Sequence, residues 1–135
     1  MSRQSSSRVR VRYAETDQMG VAWHGNVFAW FEIGRTDLLR DLGTTYRSLE
    51  QDEGLRLPVV EAGARYLRPF LYDDVVEVRT RVSRHSGARV AFEYELHRDD
   101  DDSEGPLVTG FTAHAAINGE GRPRRLPTAL RRLLS

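Results

Sequence analysis

The chain has 135 residues and a mass of 15.4 kDa, with 30% charged residues and no cysteine. This length suits a single domain, and a chain without cysteine can form no disulfide, thiolate metal site or cysteine nucleophile. Its 20 basic residues balance 20 acidic ones, so we expect no general attraction to nucleic acid. The apolar runs are only a few residues long, and we therefore expect no membrane insertion, no secretory signal and a cytoplasmic location.

The N-terminal quarter predicts a strand followed by a long loop. Residues 1–7 are rich in serine, and we expect them to be disordered. From Arg8 to Tyr13, apolar residues alternate with arginines, which is the period of a half-buried strand. Residues 14–25 show no periodicity and contain two glycines, which predicts a loop. Ordered loops of this length tend to carry function.

The next segment predicts one long helix at the centre of the core. Asn26 is a good N-cap, apolar residues then recur at spacings of three and four, and Gly43 ends the helix. The other helix faces are apolar too, which predicts a helix surrounded by other elements. Gly34 would allow another backbone to approach closely. A short second helix follows, capped by Thr44 or Thr45.

The remaining sequence predicts an antiparallel sheet. Alternating apolar residues indicate strands over residues 57–67, 75–82, 90–96 and 107–117, with a hairpin turn at Ser86-Gly87. An acidic loop separates the last two strands, and a short helical turn follows Pro127. The order of elements indicates one α+β domain over residues 1–135, in which one helix packs on an antiparallel sheet.

The loop that precedes the long helix is the candidate site. Helix first-turn amides lack intrahelical partners and carry a partial positive charge. Amides near His24, Gly25 and Asn26 could therefore hold the oxyanion that develops when an acyl carbonyl is attacked. Asp17 could attack that carbonyl or act as a base. Alternatively, Asp17 closes the loop through backbone hydrogen bonds, and the His24 side chain has only a capping or packing role.

Three segments carry a resemblance to a known family: Tyr13 to Gly20, His24-Gly25-Asn26, and Trp30 to Arg35. Together they resemble the signature of hotdog-fold acyl-CoA thioesterases, in the branch typified by 4-hydroxybenzoyl-CoA thioesterase and the Tol-Pal-associated thioesterase. The resemblance covers nearly the whole chain. It implies an antiparallel sheet of about five strands wrapped around one long central helix, and a homodimer or dimer of dimers with the site at the dimer interface.

The resemblance also implies hydrolysis of an acyl-CoA thioester, without a cofactor. It assigns Asp17 as nucleophile or general base and His24 as a second catalytic residue, whose backbone N–H can face the thioester carbonyl. Tyr13, Gly25 and Asn26 match substrate-binding positions, although the ring of Tyr13 also continues the apolar strand face and is better explained by core packing. The chain departs from the family pattern at Phe28, where many relatives carry tyrosine.

Several alternatives stay open at this point. A hotdog dehydratase could use His24 as its base, and a noncatalytic acyl-thioester binding protein would keep the fold without turnover. The phosphates of CoA could meet Arg84 and Arg89 or the C-terminal arginines (Arg122, Arg124, Arg125, Arg131 and Arg132). His85, His97 and His114 lack metal-ligand spacing, so we expect no metal site.

Overall fold

In the computed structural model, which describes residues 3–135, one long helix packs on a five-stranded antiparallel sheet. The strands lie in the order β1-β3-β4-β5-β2, and every neighbouring pair is antiparallel. This arrangement confirms the predicted α+β class and hotdog fold. Two 3-10 turns cover Tyr13–Glu15 and Asp102–Glu104. The helices and strands in chain order are β1 (Gln4–Arg10), α1 (Asn26–Leu42), α2 (Tyr46–Glu53), β2 (Val59–Tyr66), β3 (Val75–Ser86), β4 (Arg89–Arg98), β5 (Val108–Ala115) and α3 (Thr128–Leu134).

The predicted hairpin forms the middle of the sheet. β3 and β4 pair from Val76↔Arg98 to Ser86↔Arg89. The turn that joins them is Gly87-Ala88, one residue later than the predicted Ser86-Gly87. Alternate side chains of both strands point to α1 and are buried, because the period of two places them on one face of the sheet. The largest of these inward side chains are Phe92, Tyr94 and Leu96.

The helix α1 has one buried face and one open face. Seven residues are buried against the sheet: Val27, Trp30, Phe31, Gly34, Arg35, Leu38 and Leu39. Phe28 and Ile33 on the outer face remain 38% and 37% exposed. The prediction that other elements surround this helix is therefore wrong for the single chain, because the sheet covers only one face. The close approach at Gly34 is made by the side chains of Val78 and Thr80 rather than by a backbone.

The first strand differs from its prediction at both ends. Residues 4–7, expected to be disordered, pair with β3, whereas residues 1–2 lie outside the described residues. The strand then ends at Arg10, three residues before Tyr13. Arg10 is opposite Val75, the first residue of β3, and Val11 continues the backbone hydrogen bonding by one residue, with Asp74 and Asp73. The chain turns there into the 3-10 turn, which exposes Tyr13.

The two short helices follow their predicted capping signals. The Thr45 side chain caps α2 by accepting a hydrogen bond from the Ser48 amide at 3.0 Å, and Gly54 ends α2 with a φ of 60°. α3 begins directly after Pro127 and buries Leu130 and Leu134. None of the helices in residues 3–135 combines the length and the hydropathy that crossing a membrane requires.

Candidate active site

A tight turn over residues 16–22 presents the Asp17 carboxylate. Thr16 and Ala22 form an isolated antiparallel bridge, inside which the Asp17 amide donates to the Val21 carbonyl at 2.9 Å. Gly20 donates back to the Asp17 carbonyl at 3.0 Å with a φ of 80°, a conformation that glycine adopts without strain. Asp17 therefore stands on a hydrogen-bonded turn with a defined backbone.

The two carboxylate oxygens of Asp17 differ in their surroundings. Oδ1 accepts a hydrogen bond from the Met19 amide at 2.8 Å, which is the loop-closing role that the sequence left open. Oδ2 accepts no hydrogen bond from any residue in the described part of the chain. The side chain is half-buried. One oxygen thus holds the turn, and the other is available to a substrate or a water molecule.

The helix begins one residue earlier than the capping prediction placed it. Gly25 is the N-cap of α1, and Asn26 is its first helical residue, so the prediction that Asn26 caps the helix is wrong. The Asn26 amide donates to the Trp23 carbonyl at 3.0 Å, and its side-chain Nδ2 donates to the Glu15 carbonyl at 2.7 Å. Asn26 therefore ties the helix to the loop that carries Asp17.

Two free amides remain at the start of the helix. The amides of His24 and Gly25 donate to no acceptor among residues 3–135, whereas the Asn26 amide is occupied. The predicted set of oxyanion donors is thereby reduced to His24 and Gly25. A side chain at position 25 would overlap the Trp23 indole, so the ring would have to move to make room for it.

Asp17 and His24 open on the same cavity, which has a volume of about 320 Å³. Its walls are mainly apolar, and its polar side chains come from four residues only, a composition typical of small-molecule sites. Within residues 3–135 no three His, Asp or Glu side chains are grouped as metal ligands. The lining residues are Asp17, Met19, Val21, Ala22, His24, Val27, Trp30, Tyr66, Leu67, Arg68, Pro69, Phe70 and Val108.

The predicted site residues do not all meet at this cavity. Asp17 and His24 line it, and Gly25 and Asn26 lie beside it at the start of α1. Tyr13 is absent from the lining and is 78% exposed, with its ring edge-on to Tyr72 at 5.6 Å. The prediction that the Tyr13 ring packs in the core is wrong, because β1 ends before it.

Two cavity residues were missed from the sequence, Tyr66 and Arg68. The Tyr66 hydroxyl, at the end of β2, donates to the His24 carbonyl at 2.8 Å. Burial raises the pKa of this hydroxyl, which keeps it a neutral donor. Arg68 donates to the Glu104 carbonyl and is the cavity's one arginine, whereas none of the arginines considered for CoA phosphates lines the cavity. Tyr66 and Arg68 lie far from Asp17 in the sequence, so no local motif indicates that they belong to the same cavity.

Comparisons with known proteins indicate one enzyme family. The family model described as "Thioesterase superfamily" matches residues 19–104. The Bacillus subtilis protein YneP, named as a candidate acyl-CoA thioesterase, is 38% identical over 93 residues, 69% of this chain and 67% of its own. The acyl-CoA thioesterase YbgC of Haemophilus influenzae is 36% identical over 91 residues, 67% of each chain. The solved DHNA-CoA thioesterase of Staphylococcus aureus superimposes with a TM-score of 0.83 at 34% identity, covering 91% of this chain and 80% of its own.

Proposed function

The chain belongs to the thioesterase superfamily and is a thioester hydrolase, and we propose that it hydrolyses acyl-CoA thioesters in the cavity beside Asp17. One observation carries the proposal: a carboxylate with a free oxygen and the open N-terminal turn of α1 lie at one apolar-walled cavity. The named relatives support the acyl-CoA class. Hydrolysis consumes only water besides the thioester, so we propose no cofactor.

Asp17 acts on the thioester by one of two routes. As a nucleophile, its free oxygen bonds to the carbonyl carbon, the C–S bond breaks and CoA leaves as a thiolate. Water then hydrolyses the acyl anhydride and restores the carboxylate. As a general base, Asp17 takes a proton from a water molecule that attacks the carbonyl carbon directly, and the proton passes to the departing thiolate. Both routes yield the free acid and CoA.

The start of α1 stabilises the charge that develops on the carbonyl oxygen. The His24 and Gly25 amides have no other acceptor in the described part of the chain, and the helix dipole places partial positive charge at the same point. Such fixed donors need no reorganisation during the reaction, and removal of one typically costs about 10²- to 10³-fold in turnover. The His24 imidazole is exposed and can orient substrate or water.

We also propose a homodimer, which the exposed apolar side chains on one side of the sheet support. β2 is an edge strand, and Val59 and Val60 on it are 45% and 50% exposed. Leu67 and Leu71, just after β2, are 52% and 46% exposed. Unpaired edges with apolar side chains favour pairing with another strand. A second copy at this edge places the Asp17 cavity, whose wall includes Tyr66 and Leu67, at the subunit interface.

Release of free thiol from a panel of short, long and aromatic acyl-CoAs tests the reaction, with Asp17→Asn beside the wild type. The protein has no cysteine, so a chromogenic thiol reagent reads only the released CoA. We expect turnover to fall by about 10²-fold or more. The melting temperature should stay unchanged, because asparagine Oδ1 can still accept the Met19 amide.

Asp101→Asn is the matched control for this test. Asp101 accepts a hydrogen bond from the amide of Ser103, two residues ahead, as Asp17 does from Met19, but it lies outside the cavity. We expect full activity in this variant. Equal activity in both variants would exclude Asp17 as catalyst. Hydration of a crotonyl thioester, followed by absorbance, would instead indicate a dehydratase, and calorimetric binding of a nonhydrolysable CoA thioether without turnover would indicate a binding protein.

A further inference from the structure

One long-range hydrogen bond joins the end of β2 to the loop before α1. The Tyr66 hydroxyl donates to the His24 carbonyl oxygen at 2.8 Å, across 42 residues of sequence. The two side chains also meet, because the Tyr66 and His24 rings are edge-on with centroids 6.1 Å apart. Both residues line the cavity that holds Asp17. Tyr66 therefore contacts the peptide that starts the helix.

The acceptor of this hydrogen bond belongs to the same peptide unit as the Gly25 amide. A trans peptide is planar, and its C=O and N–H point in opposite directions. When Tyr66 fixes the direction of the His24 carbonyl, it also fixes the direction of the Gly25 N–H. A hydrogen bond into the carbonyl further polarises the peptide and strengthens its N–H as a donor. That N–H has no acceptor within residues 3–135.

The peptide has little other support. Its carbonyl also accepts from the Val27 amide, but at 3.3 Å, a long distance for a hydrogen bond. Residue 25 is a glycine with the Trp23 ring packed on it, and glycine has the softest backbone torsions of any residue. Without Tyr66 the peptide would therefore keep only a weak bond on a flexible residue.

We propose that Tyr66 is a positioning residue for the thioesterase reaction, which holds and polarises the His24–Gly25 peptide so that the Gly25 amide binds the oxyanion. The inference rests on the proposed function. The effect grows as negative charge builds on the substrate oxygen, so it belongs mainly to the transition state. Loss of the Tyr66 hydroxyl should consequently lower kcat and leave KM nearly unchanged.

Tyr66→Phe keeps the ring and removes only the hydroxyl. We expect kcat to fall about 10-fold, less than the about 10²-fold loss from removing an oxyanion donor outright, with KM within twofold of the wild type. Tyr72→Phe is the matched control, because Tyr72 is another exposed tyrosine and lies outside the cavity lining. It should retain wild-type kcat and KM. Replacing Tyr66 with 3-fluorotyrosine restores a hydroxyl donor and should restore kcat.

An infrared measurement reports how strongly the site polarises the thioester carbonyl of the bound substrate. The chain with Asp17→Asn is mixed with an acyl-CoA labelled with ¹³C at the thioester carbonyl, and the carbonyl stretch of the bound substrate is compared with that in Asp17→Asn/Tyr66→Phe. We expect the stretch to move towards the higher frequency of the free thioester when the hydroxyl is lost. An unchanged band together with wild-type kcat in Tyr66→Phe would overturn the inference while leaving the thioesterase proposal intact. If the wild type hydrolyses no acyl-CoA, the proposed function itself fails.

Discussion

At the scale of single residues, the interior of the sheet contains a directed chain of hydrogen bonds. His114 is fully buried, and its Nδ1 lies 2.9 Å from the Leu57 carbonyl, which can only accept. Nδ1 therefore carries the proton, and Nε2 accepts from the Thr112 hydroxyl at 2.9 Å. The Thr112 oxygen in turn accepts from the Tyr94 hydroxyl at 2.6 Å. If His114 took up a second proton, Nε2 would donate instead of accept, and the hydrogen bonds through Thr112 to Tyr94 would have to reverse direction.

His114 should make stability depend on pH in a narrow window. Burial lowers its pKa from 6.5 to about 4, with a further lowering from the nearby Arg35 charge. The folded state thus favours neutral His114, and its contribution to stability is complete above the unfolded pKa and falls as pH drops. Between pH 6.5 and 5, chemical denaturation should show a loss of about 2 kcal/mol in unfolding free energy from this group.

His114→Gln should remove most of that loss, since glutamine does not titrate. The carboxylates with lowered pKa values, Glu77 and Asp101, lose their contribution below this window, so they do not obscure it. His85→Gln is the control, because His85 lies at the end of β3, away from the interior chain. It should keep the pH dependence of the wild type. If His114→Gln kept the wild-type dependence of unfolding free energy on pH, another group would be its cause.

The sequence could place two candidate residues together where they are close in the chain. Asp17 and His24 are seven residues apart on one loop, and both line the cavity. The roles of Tyr66 and His114 could not be predicted in this way. Tyr66 contacts His24 only because β2 ends beside α1. The neutral state of His114 depends on its burial, and its tautomer depends on a carbonyl 57 residues away. Such contacts are set by tertiary structure and leave no pattern in a single sequence.

At the scale of elements, sequence periodicity predicted α1 and the central hairpin well. α1 runs from Asn26 to Leu42 and ends before Gly43, which has a φ of 99°. Its apolar residues recur at helical spacing and a glycine stop signal follows them, so both patterns predict the same helix. β1 was predicted less well. Gln4–Ser7 are polar residues of an edge strand, and their pairing with β3 depends on backbone hydrogen bonds rather than on an apolar pattern.

Gly34 sets how closely α1 packs on β3. Alanine normally stabilises a helix interior by about 1 kcal/mol relative to glycine. Here an added methyl group would overlap the Thr80 hydroxyl and the Val78 side chain, both on stiff β-branched residues of a buried strand. Overpacking typically costs about 1–3 kcal/mol. We therefore expect Gly34→Ala to lower the unfolding free energy by about 1 kcal/mol in denaturant titrations.

A double-mutant cycle with Thr80→Ala identifies the cause. Thr80→Ala removes the nearer obstacle, and the hydroxyl it deletes is buried without a hydrogen-bond partner among residues 3–135, so the single change should cost little. In that background Gly34→Ala should be less destabilising than in the wild type. An additive cycle, or a stabilising Gly34→Ala in the wild-type chain, would contradict the packing explanation.

At the scale of the whole molecule, the two edges of the sheet have opposite character. β1 presents serines with polar contacts, such as Ser5 to Asp41 at 2.6 Å and Ser6 to Glu77 at 2.7 Å. β2 presents exposed valines, with a bulge between Val59 and Glu61 on its paired side. A polar edge resists strand pairing and an apolar edge favours it. The proposed dimer therefore forms at β2, next to the wall of the cavity.

Val60→Glu tests this assembly, because it places a charge on the β2 edge while leaving the interior unchanged. Val60 is 50% exposed and has no ladder partner in the bulge, so the single chain should fold normally. We expect light scattering to show a shift from the dimer towards the 15.4 kDa chain. Activity should fall in parallel, since the cavity lies beside that edge. Gln4→Glu places the same charge on the exposed start of β1 and should change neither mass nor activity. A monomeric wild type with full activity would show that one chain forms the complete site, and the position of the cavity beside β2 would then reflect the fold alone.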